Sequence, residues 1–389
     1  MSQSVTISAR GEARLDAGHP WIYRTDVVAV SAEAGDIVRV IGPRGRTVGR
    51  ALFSDRSQIV LRVFSRDAGP TDATFLRERL DAAIAAREQM RLAETTTAYR
   101  LVHGEADLLP SLVVDRYGEY LVVQALSQAM DRLLPDVTRA LVERLAPRGI
   151  LARNDPRVRE LEGLERRVAV LAGEVPERID VALDGVRYEV DTWRGQKTGL
   201  FLDQRENYTA AAAYARGRML DAFSYHGGFA LRLARTCEDV LAVDSSAAAL
   251  TAIAANAERN QIPNIRTLEA NVFDLLRDLE RDGERFETIV LDPPAFAKNK
   301  ASVPRAVAGY KEINLRALRV LNPGGVLVTC SCSYNVDEAR LGEIVHDASR
   351  DAPASVVVVE KRMQSRDHPV LLGVPETYYL KCFILRKLS

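Results

Sequence analysis

The sequence predicts an α/β protein: a doubly wound, mostly parallel sheet in the carboxyl-terminal half, preceded by a small β-barrel and a short α+β segment. Three observations carry that prediction. From residue 218 onward, short apolar runs alternate with amphipathic helical patterns, the order that builds a parallel sheet with helices on both faces. Within that stretch, Met219-Leu-Asp-Ala-Phe-Ser-Tyr-His-Gly-Gly-Phe229 carries an apolar run into a glycine-bearing turn, and the next run, Val240-Leu-Ala-Val-Asp244, ends in an acid. Before about residue 70, short β runs separated by turn signals recur at the spacing of a small barrel.

The composition is that of an ordinary globular protein of 389 residues, 47% apolar and 27% charged. Fifty-three basic residues balance fifty-three acids, so net charge argues neither for nor against a nucleic-acid partner. The basic residues are mostly arginine, which forks onto phosphates and stacks on bases, although a GC-rich genome has the same effect. Met1-Ser-Gln-Ser is not a secretory leader and no apolar run reaches membrane-spanning length, so a cytoplasmic protein without membrane contact is expected. Cys237, Cys330, Cys332 and Cys382 lack zinc spacing, and no metal site is expected.

Three segments are expected: 1–72, 73–178 and 179–389. In the first, Val27–Val30, Asp36–Ile41, Thr47–Phe53 and Gln58–Phe64 read as strands. Arg44, Arg46, Arg50, Arg56 and Arg62 fall on their turns, either as RNA contacts or as a solvated face. Trp21 and Tyr23 read as core rather than as base-stacking platforms. In the second segment, helices are expected over Asp72–Leu92 and Ala129–Leu145. Strands are expected at Tyr99–His103, Ser111–Asp115, Tyr120–Ala125, Ile150–Arg153 and Val168–Leu171. In the third, Asp184-Gly185 signals a hairpin between Ile179–Leu183 and Val186–Val190. A glycine-rich polar loop with Lys197 and Thr198 follows, either a ligand-carboxylate contact or a plain crossing. Helices are then expected at Glu206–Arg216, Ala247–Asn260, Val272–Arg281, Tyr310–Leu321 and Asp337–Ser349. They alternate with strands at Ile265–Glu269, Phe286–Leu291 and Val326–Cys330, and Ser355–Glu360 and Tyr378–Leu385 close the sheet as an antiparallel pair.

Ligands of such sheets bind beyond the carboxyl ends of the strands. Gly227 and Gly228 let backbone approach a ligand, and Asp244 lies about 20 residues past the turn, where an acid meets a ribose hydroxyl pair. The loop is not G-x-G-x-x-G and suits a nucleoside without a diphosphate, such as S-adenosylmethionine. Phe223, Tyr225, Ser245, Asn271 and Val272 complete the candidate cofactor set with Lys197 and Thr198, Asn271 as an adenine contact. Leu291-Asp-Pro-Pro-Ala-Phe296 ends a strand stiffly, because Asp292 and Pro293 each precede a proline. Asp292, a candidate catalytic and cofactor-binding residue, is thus presented at the sheet edge, with Pro293, Pro294 and Phe296 placed to meet a planar base. Cys332, at the end of the strand beside Asp292, is a candidate nucleophile; Cys330, two residues earlier, reads as a buried strand residue.

Gln196–Arg205, Phe223–Phe229, Asp292–Phe296 and Thr329–Ser333 resemble the RlmI-type 23S rRNA 5-methylcytosine methyltransferases. Gly18-His-Pro-Trp21, Leu101–Asp107, Val113–Gly118, Asp367-His-Pro-Val and Tyr378–Lys381 extend the resemblance over essentially the whole chain. It implies an amino-terminal PUA domain, a seven-stranded S-adenosylmethionine methyltransferase domain, Cys332 as the nucleophile, and 23S rRNA or a large-subunit assembly intermediate as partner. A homodimer is compatible with it. Asn271 stands where many members carry an acid, and His226 where many carry threonine. Two other readings stay open: methylation of a base nitrogen by Asp-Pro-Pro-aromatic without a thiol, and a non-catalytic RNA-binding assembly factor.

Overall fold

The computed structural model describes residues 3–67, 69–297 and 299–389. They form two compact units, Met1–Ala182 with Val190–Leu200 and Arg366–Thr377, and Leu183–Glu189 with Phe201–Ser365 and Tyr378–Ser389. Among them no helix is long and apolar enough to cross a membrane.

The first unit holds two sheets. One has six strands in the order Trp21–Tyr23, Ile59–Ser65, Thr47–Phe53, Ile37–Ile41, Ser4–Ile7, Val27–Ser31. The four expected strands are present within a residue or so, but Ser4–Ile7, Trp21–Tyr23 and the helix Ala9–Asp16 were not expected. A strand of three or four residues is too short to show an alternation, and only pairing with longer neighbours defines it. The barrel core is Val5, Ile7, Ile22, Val38, Val40, Leu61 and their neighbours. Strand alternation puts Ile22 inside and leaves Trp21 and Tyr23 half-buried, which corrects their reading as core. Arg62 is also corrected: it lies within a strand, on the face opposite the core residues Leu61 and Val63, and is buried there and paired with Glu162 at 2.8 Å, because a buried cation requires a partner. Arg44, Arg46 and Arg56 are exposed. The other sheet has five strands, Arg167–Gly173, Gly149–Asn154, Tyr120–Ala125, Leu112–Tyr117 and Ala98–His103, packed with helices Ala73–Gln89 and Gln128–Leu145.

The hairpin Ile179–Leu183/Val186–Val190 forms with Asp184 and Gly185 both left-handed, at φ +47° and +85°, as its turn residues predict. The second unit is built on a seven-stranded sheet: β1 (Arg218–Ala222), β2 (Asp239–Asp244), β3 (Ile265–Glu269), β4 (Phe286–Leu291), β5 (Leu321–Ser331), β6 (Val356–Met363) and β7 (Lys381–Lys387). Its order is β3-β2-β1-β4-β5-β7-β6. The first five strands are parallel, and β7 runs antiparallel between β5 and β6. Continuous apolar runs form the central strands because both faces are covered, whereas the edge strands β3 and β6 are largely exposed. Helices Val272–Arg281, Val303–Val320 and Glu338–Asp351 pack one face. Arg205–Ala212, Gly228–Leu233 and Ala247–Arg259 pack the other. Helix 303–320 starts earlier than the expected Tyr310, since Pro304 sits in its first turn, where a missing N–H leaves no bond unmade. β5 begins at Leu321, before the expected Val326, and so takes in the Asn322-Pro-Gly-Gly325 segment between the expected helix and strand.

Candidate functional site

β1, at the centre of the parallel run, ends at Ala222, and the chain then turns through an unusual backbone. Phe223, Tyr225 and Gly227 are all left-handed, at φ +66°, +47° and +77°. Only the glycine takes this conformation without cost; each of the others stores strain of order 1–3 kcal/mol. Ser224 and Asp244 hold the loop there. The Ser224 N–H donates to the Val243 carbonyl at 2.9 Å, and its hydroxyl accepts the Val243 N–H at 2.8 Å. Asp244 Oδ2 accepts the Tyr225 N–H and Oδ1 the Ser246 N–H, both at 2.9 Å. A carboxylate oxygen retains a further lone pair after one such bond, so half-buried Asp244 can still accept from a ligand.

Gly228 opens the following helix against Tyr208, where an added Cβ would lie 2.2 Å from the ring. This glycine is therefore needed for close packing. His226 is buried and stacks on Phe201 with ring centres 5.7 Å apart. Asn271, beyond β3, caps the helix Val272–Arg281: its Oδ1 accepts the Phe273 N–H at 2.9 Å, and its side-chain amide has no partner among the described residues. An acid would cap the helix equally well; what asparagine adds is a pair of N–H donors for a ligand. Ser245 is exposed and Val272 buried. Lys197 and Thr198 belong to the first unit. Lys197 is exposed, at φ +51°, and the buried Thr198 hydroxyl bonds Asp115 at 2.7 Å and Tyr117 at 2.9 Å.

Asp292 follows β4 directly. Its Oδ1 accepts from Gln204 Nε2 at 2.9 Å; Gln204 Oε1 accepts from Asn207 at 2.6 Å, and Asn207 Oδ1 from Arg362 at 3.0 Å. Gln204 thus fixes the carboxylate, a role visible in the sequence only as a polar residue in a glycine-rich stretch. Buried Asp221 on β1 was likewise missed. Burial chiefly, with Asp292 and Asp244 adding, raises its carboxyl to about 8. Pro293 is buried and Pro294 exposed. Half-buried Phe296 packs against Phe223, Phe273 and Tyr310, with ring centres 6.4, 5.9 and 4.7 Å away.

Cys332 lies one residue beyond β5, half-buried, with Sγ 3.9 Å from the Pro293 carbonyl oxygen. Its neighbours are pinned: the Tyr310 hydroxyl bonds both Ser331 and Ser333 at 3.0 Å, and Ser333 Oγ accepts the Ala297 N–H at 3.1 Å. Cys330 lies within β5, fully buried and opposite Cys382 of β7, where burial pushes its thiol well above the ordinary range. Asp244 and Asp292 thus lie where the central strands end, an acceptor set that fits a nucleoside carrying positive charge, as a sulfonium and an amino group do, whereas buried Asp221 is pushed toward its neutral form.

Residues 5–66 match the PUA-like domain model, and residues 100–386 match the S-adenosylmethionine-dependent methyltransferase model. "Ribosomal RNA large subunit methyltransferase I" of Tolumonas auensis is 39% identical over 395 residues, covering 99% of this chain and 100% of that protein. The protein of the same name from Aliivibrio fischeri strain MJ11 is 37% identical, with the same coverage. Among solved structures, a protein assigned as a methyltransferase and complexed with SAH superposes with a TM-score of 0.85 over 100% of both chains, at 20% identity. At that identity the likeness speaks for the fold. The strand order, the acid-lined loop and the full-length relatives agree: this chain belongs to the S-adenosylmethionine-dependent methyltransferases, in the family of the ribosomal RNA large subunit methyltransferase I proteins.

Proposed function

We propose that this protein methylates carbon 5 of a cytosine in 23S rRNA, on the RNA or on a large-subunit assembly intermediate, with Cys332 as nucleophile. The observation that carries the reading is the half-buried Cys332 beside the Asp-Pro-Pro segment, at the carboxyl ends of adjacent strands. The names of its relatives supply the large-subunit rRNA, and the match to a PUA-like domain supports RNA binding through residues 5–66.

Bound S-adenosylmethionine supplies the methyl group as an electrophile on a sulfonium. Asp244 would hold the ribose hydroxyls, the Asn271 amide the adenine, and the Phe223–Gly228 loop with Ser245 and Val272 the remainder. Lys197 and Thr198 remain proposed cofactor contacts. Carbon 5 of cytosine is too weak a nucleophile to accept a methyl group unaided. The Cys332 thiolate adds to carbon 6, which makes carbon 5 enamine-like. Once carbon 5 is methylated, loss of its proton expels the thiolate and restores the ring. Asp292, fixed by Gln204, accepts from the amino edge of the base, while Pro293, Pro294 and Phe296 bound its face. Bringing the base out of its stack costs a few kcal/mol, least in a loop.

Cys332→Ala should abolish methylation while S-adenosylmethionine and RNA binding persist, and Cys330→Ala should lose far less. RNA containing 5-fluorocytosine should be trapped covalently on the wild-type protein, because fluorine at carbon 5 cannot leave as a proton. Near-normal turnover by Cys332→Ala would refute the nucleophile, and activity without both thiols would move the reaction to a base nitrogen.

A further inference from the structure

Lys381, the first residue of β7, is only 1% exposed, an unusual place for a lysine. It lies directly opposite Ser331 of β5, the residue before Cys332. Its Nζ donates to the carbonyl of Ser333, the residue after Cys332, at 2.7 Å and to that of Tyr379 at 2.9 Å. The lysine head is therefore held against the backbone that carries Cys332. Two carbonyls satisfy two of its three N–H groups; among the described residues no carboxylate pairs with it. A buried ammonium without a counter-charge costs several kcal/mol, so the position calls for an anion close by.

The charged and titratable groups on the facing elements are engaged elsewhere: on β6, opposite Lys381 at Met363, Arg362 pairs with Glu360 and Lys361 with Glu338, which also accepts from Tyr378. Asp337 is the nearest acid on the element after β5, but its carboxylate caps the helix Glu338–Asp351 through the Arg340 N–H at 2.8 Å. Tyr310 is occupied with Ser331 and Ser333 and stays neutral, its hydroxyl raised mainly by burial. Asp292 is bound by Gln204 at 2.9 Å. Cys330 and Cys382 are fully buried thiols within the sheet. Asp337 and Asp292 are anions already held by other donors, whereas the half-buried Cys332 sits between the two residues that Lys381 faces and holds, so it is the group whose ionisation the lysine can decide. We propose that the Lys381 ammonium is the counter-charge of a Cys332 thiolate, making Lys381 a positioning residue that keeps the nucleophile ionised near neutral pH; this rests on the reading of Cys332 given above. Burial lowers the lysine to about 8, and the charges of Cys332 and Asp337 act in the opposite sense. The same attraction, by linkage, favours loss of the thiol proton.

The test is the pH dependence of iodoacetamide alkylation at Cys332 in the full-length protein, read peptide by peptide by mass spectrometry. In the wild type, the half-point should lie at least one unit below the ~8.5 of a free thiol. Lys381→Met should slow alkylation about tenfold at pH 7 and move the half-point up by about one unit, while Lys381→Arg, which retains the charge, should stay near the wild type. Binding of S-adenosylhomocysteine by each variant reports that the fold is intact. A wild-type half-point at or above about 8.5 overturns the proposal whether or not Lys381→Met folds, as does an unchanged profile in folded Lys381→Met. Should Cys332→Ala still methylate RNA while the Lys381→Met profile shifts as expected, the charge pair stands and the nucleophile reading alone falls.

Discussion

Replacing Asp221 with asparagine removes an ionisable group from the centre of the methyltransferase sheet while keeping its shape. The Asp221 carboxyl is 1% exposed and accepts the Ala230 N–H at 2.9 Å, a bond that an asparagine carbonyl can also accept. Burial, with Asp292 and Asp244 adding, raises it to about 8 in the folded protein, against about 3.9 in an unfolded chain. For an acid raised in this way the folded state holds its proton while the unfolded state releases it. The group's contribution to stability is therefore greatest below pH 4, falls between about pH 4 and pH 8, and is flat above. The slope reaches about 1.4 kcal/mol per pH unit. Asparagine has no such slope, so the stability of Asp221→Asn relative to the wild type should rise by about 2–3 kcal/mol from pH 5.5 to pH 7.5. Amide exchange of buried Met219 and Leu220, corrected for intrinsic exchange at each pH, measures opening of this unit, and subtracting the two proteins cancels all other titrating groups. A difference constant with pH would show that Asp221 is ionised in the folded protein, and the argument from burial would fail.

Three further outcomes are expected. Asp244→Ala should weaken S-adenosylmethionine binding ten- to a hundredfold by calorimetry, from loss of a charge-assisted bond of about 1.5–3 kcal/mol; unchanged affinity would remove this loop from the cofactor site. Gly228→Ala should lower stability by about 1–3 kcal/mol, because the new methyl group must displace the buried Tyr208 ring, and Tyr208→Leu in the same chain should recover most of it in thermal melts. Reversing the exposed Arg44 and Arg56 to glutamate should reduce the slope of log K for rRNA against log salt by about one per lost phosphate contact; an unaltered slope would place RNA elsewhere on the protein.

What the sequence showed and what it hid have physical reasons. β2 ends where its apolar run ends, and helix Val272–Arg281 lies where its periodicity places it, because these elements are fixed by burial of one stripe or both faces. β5 starts at Leu321 because Leu321 pairs with Phe286 on β4, a partner distant in sequence, and the turn residues Asn322–Gly325 fall in the irregularity before Val326 pairs with Thr288. Gly227, Asp244 and Asp292 stood out as candidate ligand contacts because glycines and acids at strand ends have few other uses. Asp221, Gln204, Tyr310 and Lys381 were not: each is a polar residue in a locally ordinary context, and its significance lies in partners 9 to 88 positions away. Arg62 failed for the same reason, since only Glu162, a hundred positions later, makes its burial tolerable.

Asp244 shows how closely fold and candidate site depend on one another in this loop. Its two oxygens hold the N–H groups of Tyr225 and Ser246, and Tyr225 is one of the two non-glycine residues in left-handed conformation there. The carboxylate that would meet a ribose therefore also offsets strain of order 1–3 kcal/mol in the backbone that would cradle the same ligand. The energy needed to shape the loop is spent on folding, so a ligand meets a surface already formed and loses less of its binding energy to ordering. A neutral replacement such as Asp244→Asn keeps an acceptor for one N–H and gives up the charge. It should thus lose cofactor affinity while retaining more of the loop's order than Asp244→Ala does, and amide exchange at Tyr225 separates the two roles. Equal exchange rates in the two variants would mean that the carboxylate does not hold the loop.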